Sequence, residues 1–392
     1  MTRTTPSPHR LFFLDWLRIL ALAGLIIYHV GMYYVSWDFH VKSPFAGPGL
    51  EPWMKLSEPW RMSLLFMVSG AATASMLQHG ISPNFVRIRS KRLLLPLVLG
   101  VVVIIPPQSY FEVVQKWAYA GDFVDFLGLY FSGFHGFCAQ GHCLVLPTWN
   151  HLWFLPYVWS YTLIAWSVLR LWPSAWLKLS HSCEHVFRGA GLFVIPVAFL
   201  LTLRLALFEQ FPSTHAWVDD GFNHATYLLM FMLGGVVALS HALRDRLASS
   251  RWLALVMALV FWAWLVGARP AKPQEHFVIA IYQWCALVAA FGFSQTHLNR
   301  DSALRHRLTP AVFPVYLLHQ TVLVLASQAL LPLQLWPTIE GPVLIGLTFV
   351  LSYAAYTGVS RFPFLRPWLG LHSSPSNQAG LAPQAAAEGS RQ

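Results

Sequence analysis

The chain is short of charge. Only 11% of its 392 residues are Asp, Glu, Lys or Arg, where an ordinary soluble domain carries about 25%. That excludes a solvated globular domain as the bulk of the molecule. Four cysteines are too few for a disulfide-stapled scaffold, and no paired C-x2-C spacing marks a structural zinc site. His135, Cys138, His142 and Cys143 cluster in one loop, where a disulfide, a metal site and no special role all stay open. Cys183 and Cys285 stand apart. No internal repeat, inverted or parallel, is visible, which counts against one common transporter architecture.

What the chain has is apolar length: 56% of residues are hydrophobic and 15% aromatic. Runs near the ~20 residues needed to cross a bilayer recur at 12–34, 62–78, 93–111, 152–171, 190–209, 222–241, 252–268, 276–294, 310–331 and 341–360. They predict an all-α polytopic integral membrane protein with about ten transmembrane helices. Pro106 and Pro107 break the third run, and the seventh is short. The first is read as a retained span, because it is too long for a signal peptide and contains Asp15 and Arg18. The expected organisation is an N-terminal tail over 1–11, one membrane domain over 12–365, and a tail over 366–392. That last segment turns polar and small from Ser373 and is expected to be disordered.

A net charge of +10 invites a nucleic-acid partner, and the placement of the charge excludes one. Of 26 Lys and Arg, Arg18 and Arg204 fall within spans. Eighteen of the other 24 fall in alternate segments, and six (Lys42, Lys55, Arg61, Lys116, Arg269 and Lys272) fall opposite. This bias is the positive-inside rule, and it predicts that both termini are cytoplasmic. Trp37, Phe39, Trp53, Trp60, Trp149 and Trp153 then lie near outer span ends, as interfacial anchors or as flat platforms for a sugar.

A charged side chain inside a span is a functional hypothesis by default. Arg18 and His29 are eleven positions apart, so they share one stripe of a helix, ~16 Å apart along its axis. Asp15 falls on the same side. Arg89 and Arg92 precede the third span, where guanidinium groups suit a phosphate-bearing ligand because they pair bidentately with phosphate oxygens. His151 opens the fourth span beside Trp153, and Tyr316 and His319 share a helix face in the ninth. Arg204 needs a partner or a wet cavity, and Asp15 is one candidate partner.

The order Phe13-Leu14-Asp15-Trp16-Leu17-Arg18, ten intervening residues and His29, then Arg89-x-x-Arg92 ahead of a span, resembles the acyltransferase-3 family of membrane acyltransferases. Phe66-Met67-Val68-Ser69-Gly70, His151-Leu152-Trp153-Phe154-Leu155 and Tyr316-Leu317-Leu318-His319 extend the resemblance over residues 10 to about 365. The segments around His40 and Arg61 resemble the branch that succinylates osmoregulated periplasmic glucans. The chain departs from the commonest family pattern at Trp16 and Ile19, and at Gln320-Thr321, where a proline often follows the histidine. The resemblance implies an inner-membrane O-acyltransferase that moves an acyl group, by this branch succinyl, from cytoplasmic acyl-CoA to a periplasmic glucan. No cofactor or metal is bound, and acyl-CoA is the co-substrate. His29 is then the general base, with Asp15 holding Arg18, and Arg18, Arg89 and Arg92 serving the CoA end. His40, Arg61, His151, Trp153, Arg204, Tyr316 and His319 are acceptor-side or scaffold candidates. Acetyl transfer to another envelope polysaccharide and a transporter are the alternatives.

Overall fold

The computed structural model describes residues 11–78, 83–139 and 142–371. The chain runs through α1 (Phe12–Tyr34), α2 (Glu51–Met54), α3 (Glu58–Gln78), α4 (Phe85–Leu99), α5 (Pro106–Trp117), α6 (Phe123–Ser132) and α7 (Phe154–Leu171). It continues through α8 (Ala175–Val186), α9 (Gly191–Leu207), α10 (Gly221–Leu239), α11 (His241–Gly267), α12 (Lys272–Leu298), α13 (Ala303–Leu308), α14 (Val312–Leu330) and α15 (Pro337–Val359). The one ladder among the described residues pairs Cys138–Ala139 with His142–Cys143. Cys138 and Cys143 form a disulfide, which decides between the readings left open for that loop. No group of three or more His, Cys, Asp or Glu side chains placed to hold a metal ion occurs among the described residues.

Among the described residues, seven helical runs are long and apolar enough to cross a membrane, and up to nine if each of two bent pairs counts as one span. Ten were expected. The tenth position corresponds to α3, which has 21 residues but carries Arg61, Ser63, Ser69, Thr73 and Ser75 along its length. The expected break in the third span is present: α4 and α5 meet at 43°, where a π-helical turn over Gly100–Ile104 precedes Pro106. Proline has no N–H to donate, so the turn leaves a carbonyl to be satisfied elsewhere. The Thr321 hydroxyl donates to the Ile104 carbonyl at 2.7 Å. Gln108 donates to Thr321 at 2.6 Å, and Gln320 and Asn150 donate to Gln108 at 3.1 and 3.2 Å. Gln320 and Thr321, the departure noted in the sequence, thus lock α14 onto the broken helix.

A second contact fixes the core. A Cβ added at Gly70 would lie 1.8 Å from the Phe231 carbonyl oxygen, and one at Gly234 would lie 1.8 Å from that of Met67. Glycines placed reciprocally let α3 and α10 approach backbone to backbone, as small residues do in membrane bundles. The remaining bent pair, α8 and α9, turns by 112°. The packed chain continues to a 3₁₀ turn over Arg366–Leu369, whose Leu369 is buried. The expected disorder from Ser373 lies outside the described residues.

Candidate active site

Both ends of α1 are occupied by chemistry. In its first turn Asp15 is buried, and it accepts from Arg305 at 2.6 Å and from Arg18 at 3.4 Å. The Arg305 side chain is 1% exposed and also reaches Asp301 at 2.7 Å, while its guanidinium lies 4.8 Å over the Phe12 ring. Hydrogen bonds from Arg305 hold the Asp301 carboxyl below the usual carboxylate range. Arg89 and Arg92, on the next-but-two helix α4, lie within electrostatic reach of Arg18 and of each other. Three guanidinium groups therefore gather at this end, with Arg89 Nε buried and without a hydrogen-bond partner in the protein. The expected contact of Asp15 with Arg18 is present. The suggested pairing of Asp15 with Arg204 is not: Asp15 is taken by Arg305, and Arg204 lies elsewhere.

Toward the other end of α1, His29 meets His319 of α14, Nδ1 to Nε2, at 2.9 Å. The two rings are nearly parallel, with an interplanar angle of 4°. His319 Nδ1 lies 2.7 Å from the Tyr316 carbonyl. A carbonyl only accepts, so that nitrogen carries a proton. In the neutral pair, His319 Nε2 is then a lone pair, His29 Nδ1–H donates to it, and His29 Nε2 is left as a lone pair. The chain of backbone carbonyl, imidazole and imidazole fixes which nitrogen of His29 can act as a base. His151 stands beside this pair, its ring 5.1 Å from that of His319 at 85°. Its Nε2 donates to the Leu317 carbonyl at 3.2 Å, its own carbonyl accepts from the Tyr316 hydroxyl at 2.7 Å, and its Nδ1 has no partner.

The remaining candidates separate by distance from this cluster. Arg61 stacks on Tyr28, guanidinium to ring centroid 3.4 Å, which places it one residue from His29 along α1. His40 pairs with Glu112 at 2.5 Å, and Glu112 also takes Lys116 at 2.8 Å. Trp153 belongs to an aromatic layer with His215, Tyr157 and Tyr227, at 4.2, 5.1 and 5.9 Å, rather than to the histidine cluster. Arg204 lies between Phe208 and Phe222, at 5.1 and 5.3 Å, in a cavity of its own. The sequence alone does not single out Arg305 or Glu112 as site-forming residues. The i, i+4 spacing of Asp301 and Arg305 is the one available signal, and it is masked because Arg305 is also one of the eighteen basic residues that fall in alternate segments.

A half-buried imidazole whose proton position is fixed, at one end of a helix whose other end gathers cations, is an arrangement capable of activating a hydroxyl and of holding an anion. Comparison with known proteins agrees with that chemistry. A family model described as an acyltransferase domain matches residues 11–357. The chain belongs to this acyltransferase family. It is an acyl-transferring enzyme. Among curated proteins it is similar to glucans biosynthesis protein C of Escherichia coli strain SMS-3-5, 25% identical over 337 residues, which is 80% of this chain and 82% of that protein. The protein of the same name from Escherichia coli strain K12 is 24% identical over 333 residues, with the same coverage of both chains. No solved structure gives a significant match. As a member of this family the chain is a multi-pass membrane enzyme, in keeping with its long apolar helices.

Proposed function

We propose that this enzyme moves an acyl group, succinyl in the first instance, from cytoplasmic acyl-CoA to hydroxyls of a periplasmic glucan across the bacterial inner membrane. The observation that carries the reading is the His29–His319 contact at 2.9 Å, backed by the Tyr316 carbonyl. A sugar hydroxyl is a poor nucleophile until a base takes its proton. His29 Nε2 takes that proton as the oxygen attacks the thioester carbonyl. The tetrahedral intermediate then expels the CoA thiolate, which takes the proton back from His29. A C–O bond replaces a C–S bond, and one proton passes from hydroxyl to sulfur. His319 accepts from His29 Nδ1 throughout, which orients the ring and stabilises the imidazolium formed in mid-reaction.

Arg18, Arg89 and Arg92 serve the CoA phosphates from the cytoplasmic side. The 18:6 distribution of basic residues supports that orientation, with both termini inside. The glucan acceptor rests on the names of the relatives, and membership of the acyltransferase family sets the transporter alternative aside. The test uses the purified protein in vesicles, with radiolabelled succinyl-CoA on one side and glucan on the other, and acetyl-CoA in parallel. Label fixed covalently to glucan from succinyl-CoA supports the reading. Label only from acetyl-CoA changes the acyl group, and label on no glycan overturns it. Reporter fusions after Ser90 and Asp301 should read cytoplasmic and those after Lys42 and Lys116 external.

A further inference from the structure

Arg204 does not belong to the machinery above, yet it lines a cavity of about 280 Å³ together with Trp37, Lys55, Glu58, Glu275 and His276. Small-molecule sites run from ~300 to 1,000 Å³, so this is space for a small unit rather than a large ligand. Two of the residues that line it carry a buried polar atom without a hydrogen-bond partner in the protein: Arg204 Nε, and Nδ1 of His276, a residue only 7% exposed. Buried polar atoms are nearly always hydrogen-bonded, so these two point to a ligand that supplies the missing bonds.

The charges in the wall cancel. Lys55 and Arg204 face Glu58 and Glu275. An anion bound here would meet two carboxylates and a cation would meet an ammonium and a guanidinium. A neutral polyol suits both, because each hydroxyl can donate to a carboxylate and accept from a cation. Trp37 offers an apolar wall for the C–H face of a ring. A second cavity of about 380 Å³ shares Lys55, Leu265 and Glu275 with the first and adds Glu51 and Arg269, again one charge of each sign. The two cavities share this wall and lie side by side, an arrangement that suits neighbouring units of a linked chain.

The first cavity also lies toward the His29 end of α1. Glu58 is three residues before Arg61 on α3, so the two stack one above the other ~4.5 Å apart along the axis. Arg61 in turn packs on Tyr28, beside His29. On the acyl-transfer reading above, we infer that this cavity holds a neutral sugar residue of the acceptor, and that the glucan extends from it past Arg61 toward His29.

The test measures binding without turnover. Full-length protein carrying His29→Ala is placed in nanodiscs and titrated calorimetrically with glucose oligosaccharides, with and without Glu275→Gln and His276→Ala. Binding should weaken by about ten- to a hundredfold in the double variant, the effect of losing charge-assisted hydrogen bonds. Glu275→Gln alone keeps size and shape, and should show part of that loss if the double variant does not fold. In the active enzyme, the same substitutions should raise the KM for glucan and leave the KM for acyl-CoA in place. Unchanged oligosaccharide binding in folded variants, while wild type still labels glucan, overturns the cavity assignment and leaves the acyl-transfer reading standing. Tighter binding of a succinylated than of a neutral oligosaccharide overturns the neutral-sugar assignment. If wild type labels no glycan and binds no oligosaccharide, the acceptor reading falls, and this inference with it.

Discussion

The two ends of α1 handle polar groups inside an apolar bundle in opposite ways. At the arginine end, charge is met by charge: Asp15 takes Arg305 and Arg18, and Arg89 and Arg92 add further positive charge nearby. At the histidine end nothing needs to be charged: His29 donates to His319, and His319 donates in turn to the Tyr316 carbonyl, so each contacting atom has one defined role. The first arrangement leaves an excess of positive charge that an anion can neutralise. The second leaves one lone pair that a proton can fill. The difference teaches that one helix can serve both substrates of a transfer reaction, provided that its two ends use different electrostatics.

The largest effect should come from removing the proton acceptor. Positioned general-base catalysis contributes typically ~10²–10⁴-fold, so His29→Ala should lower kcat for acyl transfer by that range while acyl-CoA still binds. His29→Gln should be no better, since an amide keeps a hydrogen bond but takes no proton. Turnover within a fewfold of wild type, with chemistry limiting, would break the comparison at its base. Next is the ion pair that anchors the arginine end. Arg305→Gln removes the 2.6 Å partner of the buried Asp15 carboxylate and leaves it the longer Arg18 contact, and breaking one partner of a buried pair costs up to roughly 3–5 kcal/mol. Thermal unfolding in detergent should show the loss. Adding Asp15→Asn should cost less than the sum of the two single changes, because the charges are coupled. Additive losses would show that the pair is not a unit.

Much of this was legible in the sequence, and the rest was not for definite reasons. Asp15, Arg18 and His29 announced themselves because charge and imidazole are rare inside an apolar run, and the Pro106 break was visible as a pair of missing donors. The hydropathy pattern placed the start of α11 near residue 252, whereas the helix begins at His241. Arg244, Asp245 and Arg246 hide its first turns, since helix continues through charged sequence once it leaves the apolar layer. The link between Asp15 and Arg305 spans 290 positions, and no local period can reveal it. The Gly70 and Gly234 contact is equally silent, since a glycine in a span does not name the backbone that it admits. The pairing of His29 with His319 was half visible: each histidine stood out, and only the packing of α1 on α14 joined them.

The third effect sharpens what the arginine end is for. Replacing Arg89 and Arg92 together by Gln should raise the KM for acyl-CoA about ten- to a hundredfold, with each lost charge-assisted hydrogen bond worth roughly 1.5–3 kcal/mol. The KM for the acceptor should move little. Initial rates against each substrate in turn provide the check, and an unchanged acyl-CoA dependence in correctly inserted protein would return both residues to topology alone.

The smallest and most discriminating effect lies in the partner of His29. If His319 only accepts a hydrogen bond, a side chain with an acceptor oxygen should replace it in part. His319→Ala frees the His29 ring to rotate and to change tautomer, and should lower kcat about ten- to a hundredfold, the value of one hydrogen bond to a group that becomes charged. His319→Gln keeps an acceptor near the same place and should recover to within about tenfold of wild type. The pH profile separates positioning from proton chemistry. If His29 is the base it works in its neutral form, so activity should be present at higher pH and be lost as pH falls and the imidazole pair takes up its first proton, a titration that belongs to the pair rather than to either ring. His319→Gln leaves a single ring to titrate, so the acid limb should persist with a shifted midpoint. Should His319→Gln prove as inactive as His319→Ala in folded protein, His319 moves a proton itself, and the roles of the two histidines are shared rather than divided.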